Sequence, residues 1–192
     1  MQVIGISGSP RAKGNSDILL DHALSPFREC GWAVVAFHLS RRTVCPCLGC
    51  DRCAQTDACA IDDDMAVLYQ AYARCDALIV ASPVYYRNVT AQLKAVFDRS
   101  YAVRASRPLS GKAGGAIAVG RGTGGGQSLV LTIIHNFYLS CGALCVPGEL
   151  NGVSAVADKP GDILNQPNRL HQAHILGENV LRYATLVASG RS

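Results

Sequence analysis

Closely spaced cysteines are the residues whose chemistry this sequence specifies most directly. Nine cysteines occur in 192 residues, and five of them lie between positions 45 and 59. Cys47, Cys50, Cys53 and Cys59 follow the spacing CxxCxxCx5C. Thiolates separated by only two residues suit the closely placed irons of a cubane, so these four cysteines are the predicted ligands of a [4Fe-4S] cluster.

Two other readings of the same cysteines stay open. Zinc also binds four thiolates, although structural zinc usually takes two separated CxxC pairs, which favours the cluster. The cysteines could also be reduced and without a ligand. Cys45 breaks the spacing and is predicted to lie outside the ligand set. The other cysteines have apolar neighbours and are predicted to be structural: Cys30, Cys75, Cys141 and Cys145.

A loop rich in hydroxyl and basic groups follows the first apolar run. Residues 7–16 read SGSPRAKGNS and lead directly into a helical pattern. Hydroxyls, backbone N–H groups and an arginine at a helix N-terminus form a phosphate site. The loop lacks both the P-loop pattern GxxxxGK[ST] and the dinucleotide pattern GxGxxG, so a terminal monophosphate is the predicted ligand. The alternative is a helix start that Asn15 or Ser16 merely caps.

Two further loops are predicted to surround a planar ring. Residues 82–88 read SPVYYRN and combine a rigid turn with aromatic faces and amides, while residues 120–127 read GRGTGGGQ and allow close backbone approach. In isolation, a surface turn and a mobile glycine loop explain them equally well. The predicted cofactor-binding residues of the three loops are Ser7, Ser9, Pro10, Arg11, Asn15, Ser16, Pro83, Val84, Tyr85, Tyr86, Asn88, Gly120, Arg121, Gly125 and Gln127.

Short apolar runs alternate with helical patterns and must position these loops. Strands are predicted at 3–7, 33–37, 77–81, 115–119 and 144–146, and helices at 16–30, 64–74, 91–104, 128–141 and 163–187. Strands apolar on both faces predict an α/β fold with a doubly wound, five-stranded parallel sheet and helices on both faces. Such a sheet binds its ligand at the carboxyl ends of the strands. Residues 148–160 lack periodicity and are predicted to be a loop.

Length and composition set the domain organisation. At 192 residues and 49% hydrophobic, the chain is predicted to be one domain over residues 1–192, with the cysteine-rich segment at about 45–62 inserted after the second strand. The net charge of +4 is spread out, which argues against nucleic-acid or membrane binding. No stretch is apolar enough to span a bilayer, and MQVIGISGSP does not read as a cleavable leader, so the predicted location is the cytoplasm.

An acidic run and a basic stretch lie outside these loops. Asp62, Asp63 and Asp64 are predicted to cap the following helix, because acidic groups are favourable at a helix start. A basic stretch could dock an acidic protein, with a solvated helix face as the alternative: Arg87, Lys94, Arg99, Arg104 and Arg107.

The motifs together resemble a known family. GSPR followed by GNS, and SPVY followed by LKAVFDR, resemble the flavodoxin-like FMN reductase superfamily. The compact cysteine motif with its sequel AIDDDM resembles the iron-sulfur flavoproteins of anaerobic archaea and bacteria. The likeness continues through GGQ at 125–127 and leaves only the region after about 148 unmatched. It implies a flavodoxin-like fold, FMN and a [4Fe-4S] cluster in each subunit, electrons arriving from ferredoxin or a similar carrier, and homodimers or homotetramers.

The predicted function is electron transfer between one-electron carriers and a two-electron acceptor, either a small molecule or a protein. A flavin holds one or two electrons, whereas a cluster passes one at a time. No catalytic acid or base is assigned, because a reduced flavin can draw its proton from water. A cluster-free NAD(P)H-dependent FMN or quinone reductase and a zinc-bound interaction module are the alternatives.

Overall fold

The computed structural model describes residues 1–56 and 58–190. Residue 57 of the predicted cysteine segment and residues 191 and 192 lie outside this part of the chain. The strands are β1 (Gln2–Ser7), β2 (Ala33–His38), β3 (Ala77–Pro83), β4 (Ala113–Gly120), β5 (Leu144–Cys145) and β6 (Val153–Val156). The α-helices are α1 (Asn15–Glu29), α2 (Cys53–Thr56), α3 (Met65–Arg74), α4 (Ala91–Arg99), α5 (Gly126–Ser140) and α6 (Pro167–Ser189). Short 3-10 helices cover Leu39–Arg41, Ser100–Val103 and Asp162–Asn165.

The strands form one parallel sheet in the order β2-β1-β3-β4-β5. Ile4 of β1 lies between Val35 of β2 and Leu78 of β3. Neighbouring residues of a strand point to opposite faces of the sheet. Val3 therefore packs with α1 and α6, while Ile4 packs with α3, α4 and α5. The predicted doubly wound parallel sheet with helices on both faces is confirmed.

A sixth strand corrects the prediction for residues 148–160. β6 lies in this stretch and pairs in parallel with Ile117–Gly120 of β4, whereas β5 pairs with Ala113 and Gly114. The alternation of buried Val153 and Ala155 extends over four residues only, which is too short for a periodicity to stand out. The predicted helix 91–104 is also shorter than expected, because the α-helix ends at Arg99 and continues as a 3-10 helix.

Local chemistry explains where several helices begin. The Thr90 hydroxyl accepts a hydrogen bond from the Leu93 N–H and so caps α4. Pro167 opens α6, where its missing N–H has no cost and its fixed φ suits the first turn. Gly125 precedes α5 with φ +81°, a conformation that side chains disfavour. None of the helices in the described part of the chain has the length and apolarity needed to cross a membrane.

Helices α1 and α6 cross in close contact at Gly177. A Cβ atom at this position would lie 2.1 Å from the Ala23 carbonyl oxygen and 3.2 Å from the Pro26 ring. A backbone atom cannot move aside as a flexible side chain does. The crossing therefore depends on the absence of a side chain at Gly177.

We expect Gly177→Ala to lower the free energy of unfolding by about 3 kcal/mol, because the added methyl group overpacks the crossing. The melting temperature should fall by several degrees. The matched control is Gly190→Ala at the end of the same helix, where the nearest atom to an added Cβ is 3.6 Å away. Thermal unfolding followed by circular dichroism checks both variants. Equal stability of Gly177→Ala and wild type would contradict this account of the crossing.

Candidate functional site

The loop of residues 8–14, at the carboxyl end of β1, is anchored to two other elements. The Gly8 N–H donates to the Ala81 carbonyl of β3 at 2.8 Å, and the Thr90 hydroxyl donates to the Gly8 carbonyl at 2.6 Å. The Ser9 N–H donates to the Ser7 hydroxyl oxygen at 3.3 Å. The loop is therefore fixed to β3 and to the start of α4 before any ligand binds.

Ser7 supports this loop from beneath. Its side chain is fully buried, and its hydroxyl donates to Asp17 Oδ1. His38 Nδ1 lies 3.4 Å from the same carboxylate oxygen. Burial raises the pKa of Asp17, but hydrogen bonds from His38 and Ser7 lower it by more, so the pKa lies below its ordinary value. The Ser7 hydroxyl therefore donates its hydrogen to Asp17 and does not offer it to a ligand.

The start of α1 forms an open cradle. Gly14 precedes the helix, and no side chain in the described structure caps it. Asn15 instead donates to the Lys159 carbonyl at 2.9 Å and accepts from the Ile163 N–H at 3.2 Å. The alternative to a phosphate site, in which Asn15 or Ser16 merely caps this helix, is therefore wrong. A helix N-terminus without a side-chain cap presents N–H groups to an anion, which fits a phosphate.

The three predicted loops come together around one pocket at this edge of the sheet. The predicted residues that line it are Ser9, Arg11, Asn15, Ser16, Pro83, Val84, Tyr85, Gly120 and Arg121. The residues that line it and were not predicted are Gly14, Val119, Ala157, Asp158 and Pro160. Apolar residues on one side and polar groups at the α1 start are the features of a site for a planar ring that carries a phosphate.

Other predicted residues stand outside this lining, namely Ser7, Pro10, Tyr86, Asn88, Gly125 and Gln127. Tyr86 and Arg87 occupy the tip of a tight turn with φ +50° and +63°, closed by hydrogen bonds in both directions between the Tyr85 and Asn88 backbones. The Tyr86 side chain is fully exposed there. Sequence alone does not reveal this left-handed turn, because both tip residues are ones that usually avoid it.

Gln127 holds the glycine-rich loop in place. Its side chain is buried, and Nε2 donates to the Gly122 carbonyl at 2.9 Å and to the Ala155 carbonyl at 3.3 Å. A Cβ at Gly120 would lie 2.7 Å from Nε2. Gly120 is therefore small so that Gln127 can pack behind it, and Gln127 positions the wall of the pocket.

Residues 157–160 form the wall that sequence analysis missed. The Ala157 N–H donates to the Gly120 carbonyl at 2.8 Å, which continues the pairing of β6 with β4. Arg121 forms an ion pair with Asp158 across the pocket, and this pairing raises the pKa of Arg121 and lowers that of Asp158. The signal that could have revealed this wall is the Val153 and Ala155 alternation just before it.

The predicted metal ligands lie on an irregular surface segment. Cys47 and Cys50 are exposed, Cys53 and Cys59 are half-buried, and all four are free thiols. Residues 42–51 have no regular secondary structure. Within residues 1–56 and 58–190, no three His, Cys, Asp or Glu side chains form a metal-binding group. The donor set fits an iron-sulfur cluster in its chemistry, since four accessible thiols are the ligands that a cluster takes, but the cage itself is not formed.

A buried ion pair lies at the base of this segment. Arg99, predicted as part of an exposed basic stretch, is only 2% exposed and pairs with Asp63 at 2.8 Å. Lys94 of the same stretch pairs with Asp98. Asp63 also accepts from the N–H of Met65, the first residue of α3, at 3.0 Å, whereas Asp64 at the N-cap position forms no side-chain cap and pairs with Arg42 instead. Burial raises the pKa of Asp63, but the Arg99 hydrogen bonds and backbone N–H groups lower it by more.

Comparison with known proteins gives a consistent result. Residues 1–157 match the family described as NADPH-dependent FMN reductase. An iron-sulfur flavoprotein of Methanocaldococcus jannaschii is 38% identical over 97% of this chain and 99% of its own. An iron-sulfur flavoprotein of Methanosarcina thermophila is 40% identical over 84% of this chain and 85% of its own. The crystal structure of a flavodoxin, WrbA-like protein from Agrobacterium tumefaciens superposes with a TM-score of 0.68 at 14% identity, covering 98% of this chain and 97% of that one. The fold is therefore flavodoxin-like, as predicted.

We expect Asn15→Leu to raise the Kd for FMN about tenfold. Two hydrogen bonds are lost, one to Lys159 of the 157–160 wall and one from Ile163 of the 3-10 helix after it. Each is worth about 1 kcal/mol, and a tenfold change in Kd corresponds to about 1.4 kcal/mol. Titration of apoprotein with FMN, followed by flavin fluorescence, gives the Kd. The matched control is Asn179→Leu, which removes hydrogen bonds from an α6 asparagine to the Pro147 and Gly148 carbonyls. Equal Kd values for Asn15→Leu and Asn179→Leu would exclude this role of the tether.

Proposed function

The chain belongs to the NADPH-dependent FMN reductase family, among its iron-sulfur flavoproteins, and is a flavin oxidoreductase; from this premise we propose that it is an electron-transfer protein carrying FMN and a [4Fe-4S] cluster. The observation that carries the cluster is the compact set Cys47, Cys50, Cys53 and Cys59. It occurs in a chain 38% identical, over nearly its whole length, to a protein named as an iron-sulfur flavoprotein.

Different residues of the pocket would bind the phosphate and the ring of FMN. The Arg11 guanidinium and the uncapped start of α1 would hold the phosphate, because they offer positive charge and hydrogen-bond donors to an anion. The Ser9 hydroxyl, which donates to the Arg11 carbonyl at 2.9 Å, would have to turn from that carbonyl to donate to the phosphate. Pro83, Val84 and Tyr85, which line the pocket, would hold the ring. The backbone at Gly120 and Arg121 would bind its polar groups, since glycine leaves room for close approach.

The cysteine segment supplies the second redox site. Cys47, Cys50, Cys53 and Cys59 provide the thiolates, and Cys45 stays outside the ligand set. Bound FMN exchanges one or two electrons and a bound cluster one, which connects one-electron carriers with a two-electron acceptor. None of the chain's side chains needs to act as an acid or base in this role.

The proposal also includes the partners and the assembly that the family resemblance implies. A ferredoxin or a similar one-electron carrier delivers the electrons, and a small molecule or a protein accepts them in pairs. The protein works in the cytoplasm as a homodimer or homotetramer. It requires neither nucleic acid nor membrane.

A second candidate is a cluster-free NAD(P)H-dependent FMN or quinone reductase. One observation favours it: the family description names a nicotinamide cofactor. It predicts a yellow protein that oxidises NAD(P)H rapidly and contains no iron. A zinc-bound module without turnover is distinguished by stoichiometric zinc.

We expect anaerobically purified protein to contain about four irons per chain, with matching sulfide and no zinc. In Cys53→Ala the broad visible absorption of the cluster should disappear, because one of four thiolate ligands is lost, while FMN remains bound. Metal analysis and absorption spectra measure both.

Cys30→Ala is the matched control, since Cys30 is an exposed free thiol at the end of α1, outside the motif. It should keep the iron and the spectrum of wild type. An unchanged spectrum in Cys53→Ala would show that the ligand assignment is wrong. Absence of iron and zinc together with NAD(P)H oxidation would support the reductase instead.

A further inference from the structure

Arg99 and Asp63 form a charged pair that is almost completely removed from solvent. Their side chains are 1% and 3% exposed. Arg99 Nη1 donates to Asp63 Oδ2 at 2.8 Å, and Nη2 donates to Oδ1 at 3.1 Å, so the pairing is bidentate. Charged side chains are rarely buried to this extent unless a specific partner compensates them. The backbone groups that surround the pair show which part of the chain it holds.

Three further hydrogen bonds of the two side-chain ends reach the base of the cysteine segment, residues 45–62. Arg99 Nη1 donates to the Cys45 carbonyl at 2.9 Å, and Nη2 donates to the Ile61 carbonyl at 3.2 Å. The Cys45 N–H donates to Asp63 Oδ2 at 2.8 Å. One guanidinium thus holds both ends of the segment. The first and last predicted ligands, Cys47 and Cys59, each lie two residues inside this closed base.

Arg99 also lies beside the backbone that carries the last ligand. Its Nη2 donates to the carbonyl of Ile61, which is two residues after Cys59. Arg99 Nε is buried and has no hydrogen-bond partner within the described residues. The Tyr69 hydroxyl donates to the Arg99 carbonyl at 2.8 Å and helps to fix the end of α4 beside the segment.

We propose that the Arg99–Asp63 pair is the positioning element of the cluster ligands, and that the charge of Arg99 sets the reduction potential of the cluster. This inference rests on the proposed function. On reduction the cluster gains one electron from the carrier, or from a mediator dye in the test, and no bond to a cysteine breaks. A nearby buried cation stabilises the added negative charge, whereas a nearby carboxylate opposes it. The charge of Arg99 therefore raises the reduction potential and that of Asp63 lowers it, whereas both side chains hold the cysteine segment in place.

The first test is a redox titration of Arg99→Gln and Asp63→Asn holoprotein, poised with mediator dyes and followed by electron paramagnetic resonance. At the wild-type midpoint potential, the ratio of reduced to oxidised cluster should fall at least tenfold in Arg99→Gln and rise at least tenfold in Asp63→Asn. For a one-electron couple, a tenfold change corresponds to about 59 mV. Arg99→Lys should stay close to the wild-type ratio, because the charge remains. Shifts of the same sign in Arg99→Gln and Asp63→Asn, or no shift in either, would overturn the assignment.

The second test uses protein without the cluster. Trypsin can cut after Arg52, which is exposed in the middle of the segment. Cleavage of metal-free protein should be at least tenfold faster in Arg99→Lys and Arg99→Gln than in wild type, because neither side chain reproduces the guanidinium fork between the two carbonyls. Lys94→Gln is the matched control, since it breaks an exposed ion pair of the same helix. Wild-type cleavage rates in both Arg99 variants would overturn the positioning role.

A variant with both charges removed distinguishes the loss of the ion pair from misfolding. Arg99→Gln alone leaves a buried carboxylate unpaired, whereas Arg99→Gln with Asp63→Asn leaves none. The double variant should fold, lose protection at Arg52 and have a potential near that of wild type. If wild-type protein holds no iron, the proposed function fails and the trypsin test alone judges the positioning role. If it holds about four irons and the two potentials do not separate, the charge inference alone fails.

Discussion

The N–H of Gly8, the residue after β1, donates to the carbonyl of Ala81 in β3. At the ends of these two strands the chain leaves the sheet toward opposite faces. After β1 the chain enters α1 on one face, and after β3 it enters α4 on the other. The two connections diverge, and a crevice opens between them at the carboxyl edge of the sheet. The phosphate cradle, the proline turn and the glycine-rich loop all line this crevice because their strands end there.

Much of this arrangement was predictable from the sequence. Buried parallel strands read as continuous apolar runs, which placed β1, β3 and β4, and a similar run placed the edge strand β2, where only Phe37 is buried. The order of loops along a parallel sheet then placed the pocket. β6 was missed because four residues carry too little periodicity. The outward direction of Tyr86 was missed because it depends on a positive φ that its residue type does not indicate.

The burial of Arg99 illustrates a different limit. In sequence it belongs to a row of basic residues, and its partner Asp63 is 36 positions away in a row of acidic ones. Local pattern assigns both to exposed helix ends. Only the packing of α3 beside α4 shows that the two charges meet in the interior, where the loss of hydration is offset by their mutual attraction and by backbone hydrogen bonds. The residues that organise the cysteine segment therefore lie outside the motif that identifies it.

The two proposed redox sites also differ in how far the protein alone fixes their residues. The proposed flavin pocket is built on strand ends and helix starts that hydrogen bonds fix, whereas the cysteine segment is tied at its base and has no regular secondary structure over residues 42–51. The number of electrons that one chain accepts tests the account most directly. Anaerobic titration with dithionite should take up about three electrons per chain, two by FMN and one by a cluster. An end point at about two, with only the flavin bleaching, would contradict it.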